Sequence, residues 1–139
     1  MRAVIGGLRV RLRQQTGRPD AGVVTVEFAV IASFAALTLV ALLQLGLYFH
    51  AYNVARSGAQ VGVQAGRVDG AGTGEGISAA RTFVASAGGS LLQSTAVSGS
   101  RTGDTIAITV SGTTPSVVPF VTFPRLSTTV EGPVERITQ

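Results

Sequence analysis

The feature that most constrains this chain is an uncharged apolar run of 22 residues, Phe28–Phe49. Its polar side chains are few: Ser33, Thr38, Gln44 and the phenol of Tyr48. As an α-helix the run would be about 33 Å long, which matches a hydrocarbon core of about 30 Å. A chain of 139 residues has too little other protein to surround a helix that is apolar on every side. The run therefore predicts a transmembrane helix in contact with the lipid bilayer.

The net charge of the chain is confined to its first residues. Five arginines precede Ala21 and are opposed there by Asp20, so this segment carries 5 − 1 = +4, the formal charge of the whole chain. After Ala21 six arginines balance six acidic residues, 6 − 6 = 0. A nucleic-acid interface needs basic residues clustered on a folded surface together with aromatic stacking partners. No such cluster follows Ala21, and we expect no nucleic-acid partner.

The arginines also predict the orientation of the membrane helix. The positive-inside rule places the N-terminus in the cytoplasm, so the chain from His50 onward is extracytoplasmic. A cleaved secretory signal is the main alternative, but its apolar region has 7–15 residues and ends at a small-x-small site. The nearest candidate, Asn53-Val54-Ala55, begins with an unsuitable residue. Arginine without lysine, with abundant Ala, Gly and Val, indicates a bacterial source, and we expect a single-pass anchor in the inner (cytoplasmic) membrane.

Small residues recur at helical spacing beyond the membrane run, and the helix is predicted to continue from His50 to about Ala65. They form two adjacent stripes: Ala51, Ala55 and Ala59 on one, and Gly58, Gly62 and Gly66 on the other. One interpretation is that Ala55, Gly58, Ala59 and Gly62 let another helix or subunit approach closely. The other is that each glycine merely weakens the helix, by about 1 kcal/mol relative to Ala. The sequence leaves both open.

The rest of the chain predicts a small α+β domain. Five glycines within Gly66–Gly76 indicate a loop, and apolar residues at helical spacing indicate a second helix over Ile77–Ala87. Strands are predicted at residues 94–98, 105–110 and 126–131, the first two joined by a hairpin link over 99–104. The expected fold is therefore α+β and membrane-anchored. A long N-terminal transmembrane helix extends outward, and a second helix packs on a small antiparallel sheet of about three strands.

An apolar segment, residues 114–124, separates the last two predicted strands. Its three prolines exclude a central strand, although most of its other residues are apolar. The segment either folds back over the sheet, or it touches the membrane or a neighbouring subunit. We favour folding back, because a small domain needs every apolar side chain that it has.

A short motif lies at the inner boundary of the membrane run. Gly22 precedes the start of the run and Glu27 lies about one turn inside it, just after an arginine-rich leader. A carboxylate at that depth is costly, which favours a functional role. This combination resembles the processing site of type IV prepilins, which a membrane-embedded prepilin peptidase cleaves. The resemblance implies a scissile bond between Gly22 and Val23, with Glu27 and Phe28 as further residues of the processing site.

The segment Gly22 to Arg136 more specifically resembles the TadE-like family, minor pilins or pseudopilins of tight-adherence (Flp-type) pilus systems. The resemblance rests on Glu27-Phe28-Ala29, on Asn53–Ala59 and on the strands and Pro-rich segment of Ile106–Arg136. It departs from the family at Gln60, and Val23 stands where major type IV pilins carry Phe. It implies a basic cytoplasmic leader (1–22), a transmembrane helix with an extracytoplasmic extension (23–66, core 28–49) and an extracytoplasmic domain (67–139). The implied partners are a prepilin peptidase and other pilin or pilus-assembly subunits in a hetero-oligomer, beside a secretion-type ATPase.

Two other functions remain open at this point. One is an uncleaved single-pass anchor that displays a small binding domain at the cell surface. The other is a pseudopilin of type II secretion or DNA uptake.

We expect no enzymatic activity, cofactor, metal or small-molecule substrate. The chain has no cysteine, and its one histidine, His50, has no partner residue nearby in sequence for catalysis or metal binding. The glycines of Gly70–Gly74 lack the preceding strand and the lysine of a phosphate-binding loop.

Overall fold

The computed structural model describes residues 19–68, 70–118 and 121–134. Most of the predicted leader and the last five residues of the chain lie outside the described residues. The chain divides into two compact units between Leu39 and Val40. The first contains the beginning of a long helix, and the second contains the rest of that helix, a second helix and a sheet.

Helix α1 runs from Pro19 to Gly66. Its C-terminal end agrees with the prediction, but it begins four residues before the predicted start at Val23. Proline is favoured in the first turn of a helix, where its missing N–H would have no intrahelical acceptor. In the first unit the structure describes the side chains of residues 22–39, and all of these residues are exposed. Such a surface is compatible with a lipid environment and not with the core of a soluble domain.

Helix α2 runs from Thr73 to Gly88, so the predicted helix at Ile77–Ala87 is present but begins one turn earlier. The predicted loop is correspondingly shorter, because Gly74 and Gly76 are helical. Ala80 and Val84 of the predicted apolar stripe are buried, whereas Ala87 at its end is exposed.

The sheet has three antiparallel strands in the order β1-β2-β3: β1 is Gln93–Thr102, β2 is Thr105–Thr113 and β3 is Leu126–Pro133. The fold class is as predicted, and each strand is longer than expected. The predicted hairpin link of six residues is a two-residue turn, in which Gly103 has a φ of +58°. A glycine at positive φ in the first central position is the arrangement of type II′ hairpin turns.

The core of the second unit lies between one face of the sheet and the two helices. The alternation predicted for β2 is confirmed, since Ile106, Ile108 and Val110 are fully buried. Leu126 and Thr128 of β3 are buried on the same side of the sheet. The helices contribute mainly small residues to this core, among them Ala51, Ala55, Ala59 and Ala80. The opposite face of the sheet is rich in hydroxyl groups, and Thr109 and Thr129 share a hydrogen bond of 2.7 Å across it.

Candidate functional site

The predicted processing residues lie near the N-terminal end of α1, within the first two turns whose side chains the structure describes. Gly22, Val23, Glu27 and Phe28 are all exposed, and Phe28 is 71% accessible. A Cβ atom added at Gly22 would have no protein atom within 4 Å. The backbone of Gly22 is helical, whereas a protease binds its substrate as an extended strand. Cleavage at this position therefore requires the first turns of α1 to unwind.

Two hydroxyl side chains in the apolar part of α1 are satisfied by the helix itself. The Ser33 hydroxyl donates to the carbonyl of Ala29, and the Thr38 hydroxyl donates to that of Phe34, each at 2.8 Å. Bonds of this kind, four residues back along the helix, remove the cost of exposing a hydroxyl group to lipid. The polar interruptions are therefore no obstacle to a membrane location.

The third polar residue of the apolar run, Gln44, is tied to the segment between β2 and β3. Its side chain is only 2% exposed. The amide nitrogen donates to the carbonyl of Pro115 at 3.1 Å, and the amide oxygen accepts from the N–H of Val117 at 2.8 Å. Two bonds from one planar amide fix both the position and the orientation of this loop against α1. The sequence predicts that this segment folds back over the sheet, whereas the bonds described at its first residues join it to α1.

The small residues predicted as packing residues face the remainder of their own chain. Ala55 and Ala59 are fully buried, and Gly58 and Gly62 are buried as well. A Cβ added at Gly58 would lie 2.5 Å from Cγ2 of Val84 on α2. These positions are occupied within the subunit, so they offer no open surface to a second one.

The backbones of the two helices approach each other closely at Gly62 and Gly76. A Cβ on Gly62 would lie 2.7 Å from the carbonyl oxygen of Gly76, and a Cβ on Gly76 would lie 2.7 Å from the carbonyl oxygen of Gly62. The same added atom on Gly62 would lie 2.9 Å from Cβ of Ala80. Real Cβ atoms do not approach other atoms this closely, so the two backbones are in contact only because neither residue has a side chain.

The start of α2 is held by one half of a capping box. The Glu75 carboxylate accepts the N–H of Gly72 at 2.8 Å, while Gly72 has no side chain to return the bond. The N–H groups of Glu75 itself and of Gly72 hold the pKa of the Glu75 carboxyl below its ordinary value of 4.5. A carboxylate in the first turn also interacts favourably with the helix dipole. This cap allows α2 to begin at Thr73 although two of its first four residues are glycines.

Sequence reasoning missed two residues of this arrangement. The sequence shows Gln44 only as a polar interruption, although a buried amide in an apolar helix requires a partner and so signals a contact. The glycine pattern places Gly76 in the loop, although it lies four residues before Ala80 and extends the apolar stripe of α2. Neither signal identifies its partner, because both contacts join distant parts of the chain.

The family match described below lies within α1, the helix predicted to cross the membrane. Among the described residues, one helix, Gly22–Gly66, is long and apolar enough to cross a membrane. Residues 22–64 match the model of a family described as TadE-like protein. No curated protein and no solved structure matches the chain. The match includes Asn53–Ala59 but ends before α2, so the resemblance of the strands to this family stays a prediction.

Proposed function

We propose that this chain, which is TadE-like over residues 22–64, is a pilin-like subunit that assists assembly or export of a tight-adherence (Flp-type) pilus. One observation supports it most: the family match coincides with a helix whose described side chains up to Leu39 are all exposed. Glu27 is the one charged residue between Gly22 and Phe49. In this function α1 is a single-pass anchor in the inner membrane of a bacterium, and the α2–sheet domain lies outside the cytoplasm.

A prepilin peptidase cleaves the chain between Gly22 and Val23. Residues 1–22 carry the full +4 of the protein, so the mature subunit is formally neutral before its new amino group is counted. That amino group is created at Val23, four residues before Glu27. A carboxylate one helical turn away compensates a positive charge at the edge of a low-dielectric region, within one subunit or between neighbours. Val23 and Phe28 then form the first apolar surface of the mature subunit.

Processing is tested by expressing the full-length chain with and without a prepilin peptidase and measuring the mass of the product. The expected product begins at Val23. Gly22→Ala should reduce cleavage by hindering binding to the peptidase. It should not disturb the fold, because an added Cβ meets nothing in the chain itself. Gly46→Ala is the matched control, since Gly46 is also exposed in α1 and has no atom within 4 Å of an added Cβ. A wild-type chain that stays at full length rejects processing and leaves the uncleaved anchor as the function.

The role of Glu27 separates an assembling subunit from a simple anchor. Glu27→Gln keeps the shape of the side chain and removes its charge. If the Glu27 carboxylate pairs with the amino group of its own or a neighbouring subunit, we expect the variant to be cleaved normally. It should then co-purify more weakly with the other pilin subunits. Unchanged co-purification and unchanged piliation of the cells would instead favour the anchor.

A further inference from the structure

The segment between β2 and β3 has the composition of a membrane-contacting loop. No charged residue lies between Asp104 and Arg125, and three of the chain's five prolines lie at positions 115, 119 and 124. The side chains of Val117 and Val121 are 52% and 43% exposed. Apolar side chains are stabilised by transfer from water to an apolar environment, so lipid would be a favourable surrounding for these two valines.

The attachment of the loop to α1 fixes the level at which these valines lie. Gln44 holds the backbone at Pro115 and Val117. Its neighbours on the helix are large and exposed as well, with Leu43 at 63% and Leu45 at 50%. The loop is therefore attached to α1 at a residue whose neighbours along the helix are exposed and apolar.

That level lies near the C-terminal end of the apolar run Phe28–Phe49. A core of about 30 Å is crossed by about 20 helical residues. Counted from Val23, such a span ends near Leu42. Counted from Phe28, it ends near Leu47. Gln44 lies between these two limits, where a transmembrane helix passes into the interfacial region.

The backbone of the loop is suited to an environment with little water. The prolines remove three N–H groups, and the N–H of Val117 is bonded to Gln44. The carbonyl of Val118 accepts both the Ser116 hydroxyl at 2.7 Å and the N–H of Val121 at 3.3 Å. Unsatisfied backbone groups cost several kcal/mol each in lipid, which is why irregular loops are normally excluded from the membrane. Here several of those groups are removed or paired within the loop and with α1.

We propose that the loop inserts the exposed apolar side chains of Val117 and Val121 into the interfacial region of the bilayer, on the side where the domain lies. The domain then has two attachments to the membrane, α1 and this loop, and Gln44 joins them. Lipid is the occupant because the loop is bonded to the membrane helix at the depth of the interface. Whenever α1 is inserted, these side chains meet lipid without the need for a second protein. The inference goes beyond the proposed function and depends only on α1 spanning the membrane.

The absence of tryptophan from the chain makes a direct test possible. Single-tryptophan variants Val117→Trp and Val121→Trp, both at exposed positions, are made in the full chain and reconstituted in nanodiscs at one protein per disc. Emission is compared between ordinary phosphatidylcholine and phosphatidylcholine brominated on its acyl chains. Phe34→Trp in α1 is the control for membrane insertion, and Thr129→Trp on the hydroxyl-rich face of the sheet is the control for exposure to water.

We expect brominated lipid to remove most of the emission of Trp at 117 and 121, because aromatic rings at the interface lie within reach of the acyl chains. Trp at 34 should be quenched and Trp at 129 should not. Quenching at 34 without quenching at either loop position overturns the inference and leaves the proposed function intact. No quenching at 34 overturns both. The emission of Trp at 117 could also shift to the blue only in discs with two or more proteins, without being quenched by brominated lipid. That result assigns the loop to a contact with a second copy and also overturns the inference.

Discussion

The contact between α1 and α2 makes the effect of a single methyl group predictable. In Gly62→Ala the new Cβ would lie 2.7 Å from the carbonyl oxygen of Gly76, 2.9 Å from Cβ of Ala80 and 3.0 Å from Cγ2 of Ile108. The first two atoms belong to backbone or to a side chain without rotamers, so neither can turn away. The helices must therefore separate, and the separation disturbs the core residue Ile108, which is fully buried.

Two opposing terms set the size of the effect. Overpacking a well-packed core costs about 1–3 kcal/mol. Replacing a helical glycine by alanine returns up to about 1 kcal/mol, because the unfolded chain loses conformational freedom and helix propensity rises. The free energy of unfolding should thus fall by up to about 2 kcal/mol. Gly74→Ala receives only the favourable term, since Gly74 is exposed in α2 and an added Cβ meets nothing within 4 Å.

The measurement is urea unfolding of the full-length chain in detergent, followed by pulse proteolysis of the α2–sheet domain. With a slope of about 1–3 kcal/mol per M for a small domain, Gly62→Ala should lower the midpoint by up to about 2 M. Gly74→Ala should leave it unchanged or raise it. If Gly62→Ala raises the midpoint as much as Gly74→Ala does, the close approach is not needed, and the glycines merely weaken the helix.

Two further perturbations test the loop attachment and the cap of α2. Gln44→Ala removes two hydrogen bonds to the loop backbone, which should cost about 1–3 kcal/mol in total and speed amide exchange in the loop. Ser33→Ala loses only a bond within its own helix and should be close to neutral. The pKa of Glu75 is lower in the folded state than in the unfolded state, so the stability it contributes is present above its ordinary pKa of 4.5 and is lost as the pH falls through the folded-state value. Glu75→Gln removes the charged acceptor of the Gly72 N–H, so it should lower the stability at neutral pH and make the loss of stability in acid less steep. A loss of stability in acid as steep as that of the wild type would contradict this. Glu131→Gln on β3 is the control.

The elements of this fold that could be predicted from the sequence are those with a periodic apolar pattern. The alternation at Ile106, Ile108 and Val110 identifies a strand because successive side chains of a strand point to opposite faces. The uncharged run identifies α1 because only a helix can satisfy its own backbone in lipid. Both patterns are local, and both are reproduced in the structure.

The remaining features depend on contacts between distant parts of the chain. Gly74 and Gly76 disfavour a helix by propensity, yet α2 begins at Thr73 because Glu75 caps it and Gly76 packs against Gly62. Strand β1 is longer than its sequence indicates because the predicted link residues 99–102 pair with β2, from Gly99 opposite Ile108 to Thr102 opposite Thr105. The bonds of Gln44 span 71 and 73 residues. No local pattern contains their partner, so the loop could be assigned to the domain but not to α1.

Helix α1 meets two different surroundings, and its side chains change in size accordingly. From residue 22 to Leu39 the described side chains are exposed and include many large ones, as lipid contact favours. From Ala51 onward its buried positions are mostly Ala and Gly, because a small domain covers one face of a helix most fully when the backbones come close. Substitutions in the two parts should therefore have separable effects. Changes near Gly22 should alter processing without unfolding the domain, and changes near Gly62 should weaken the domain without preventing insertion of α1.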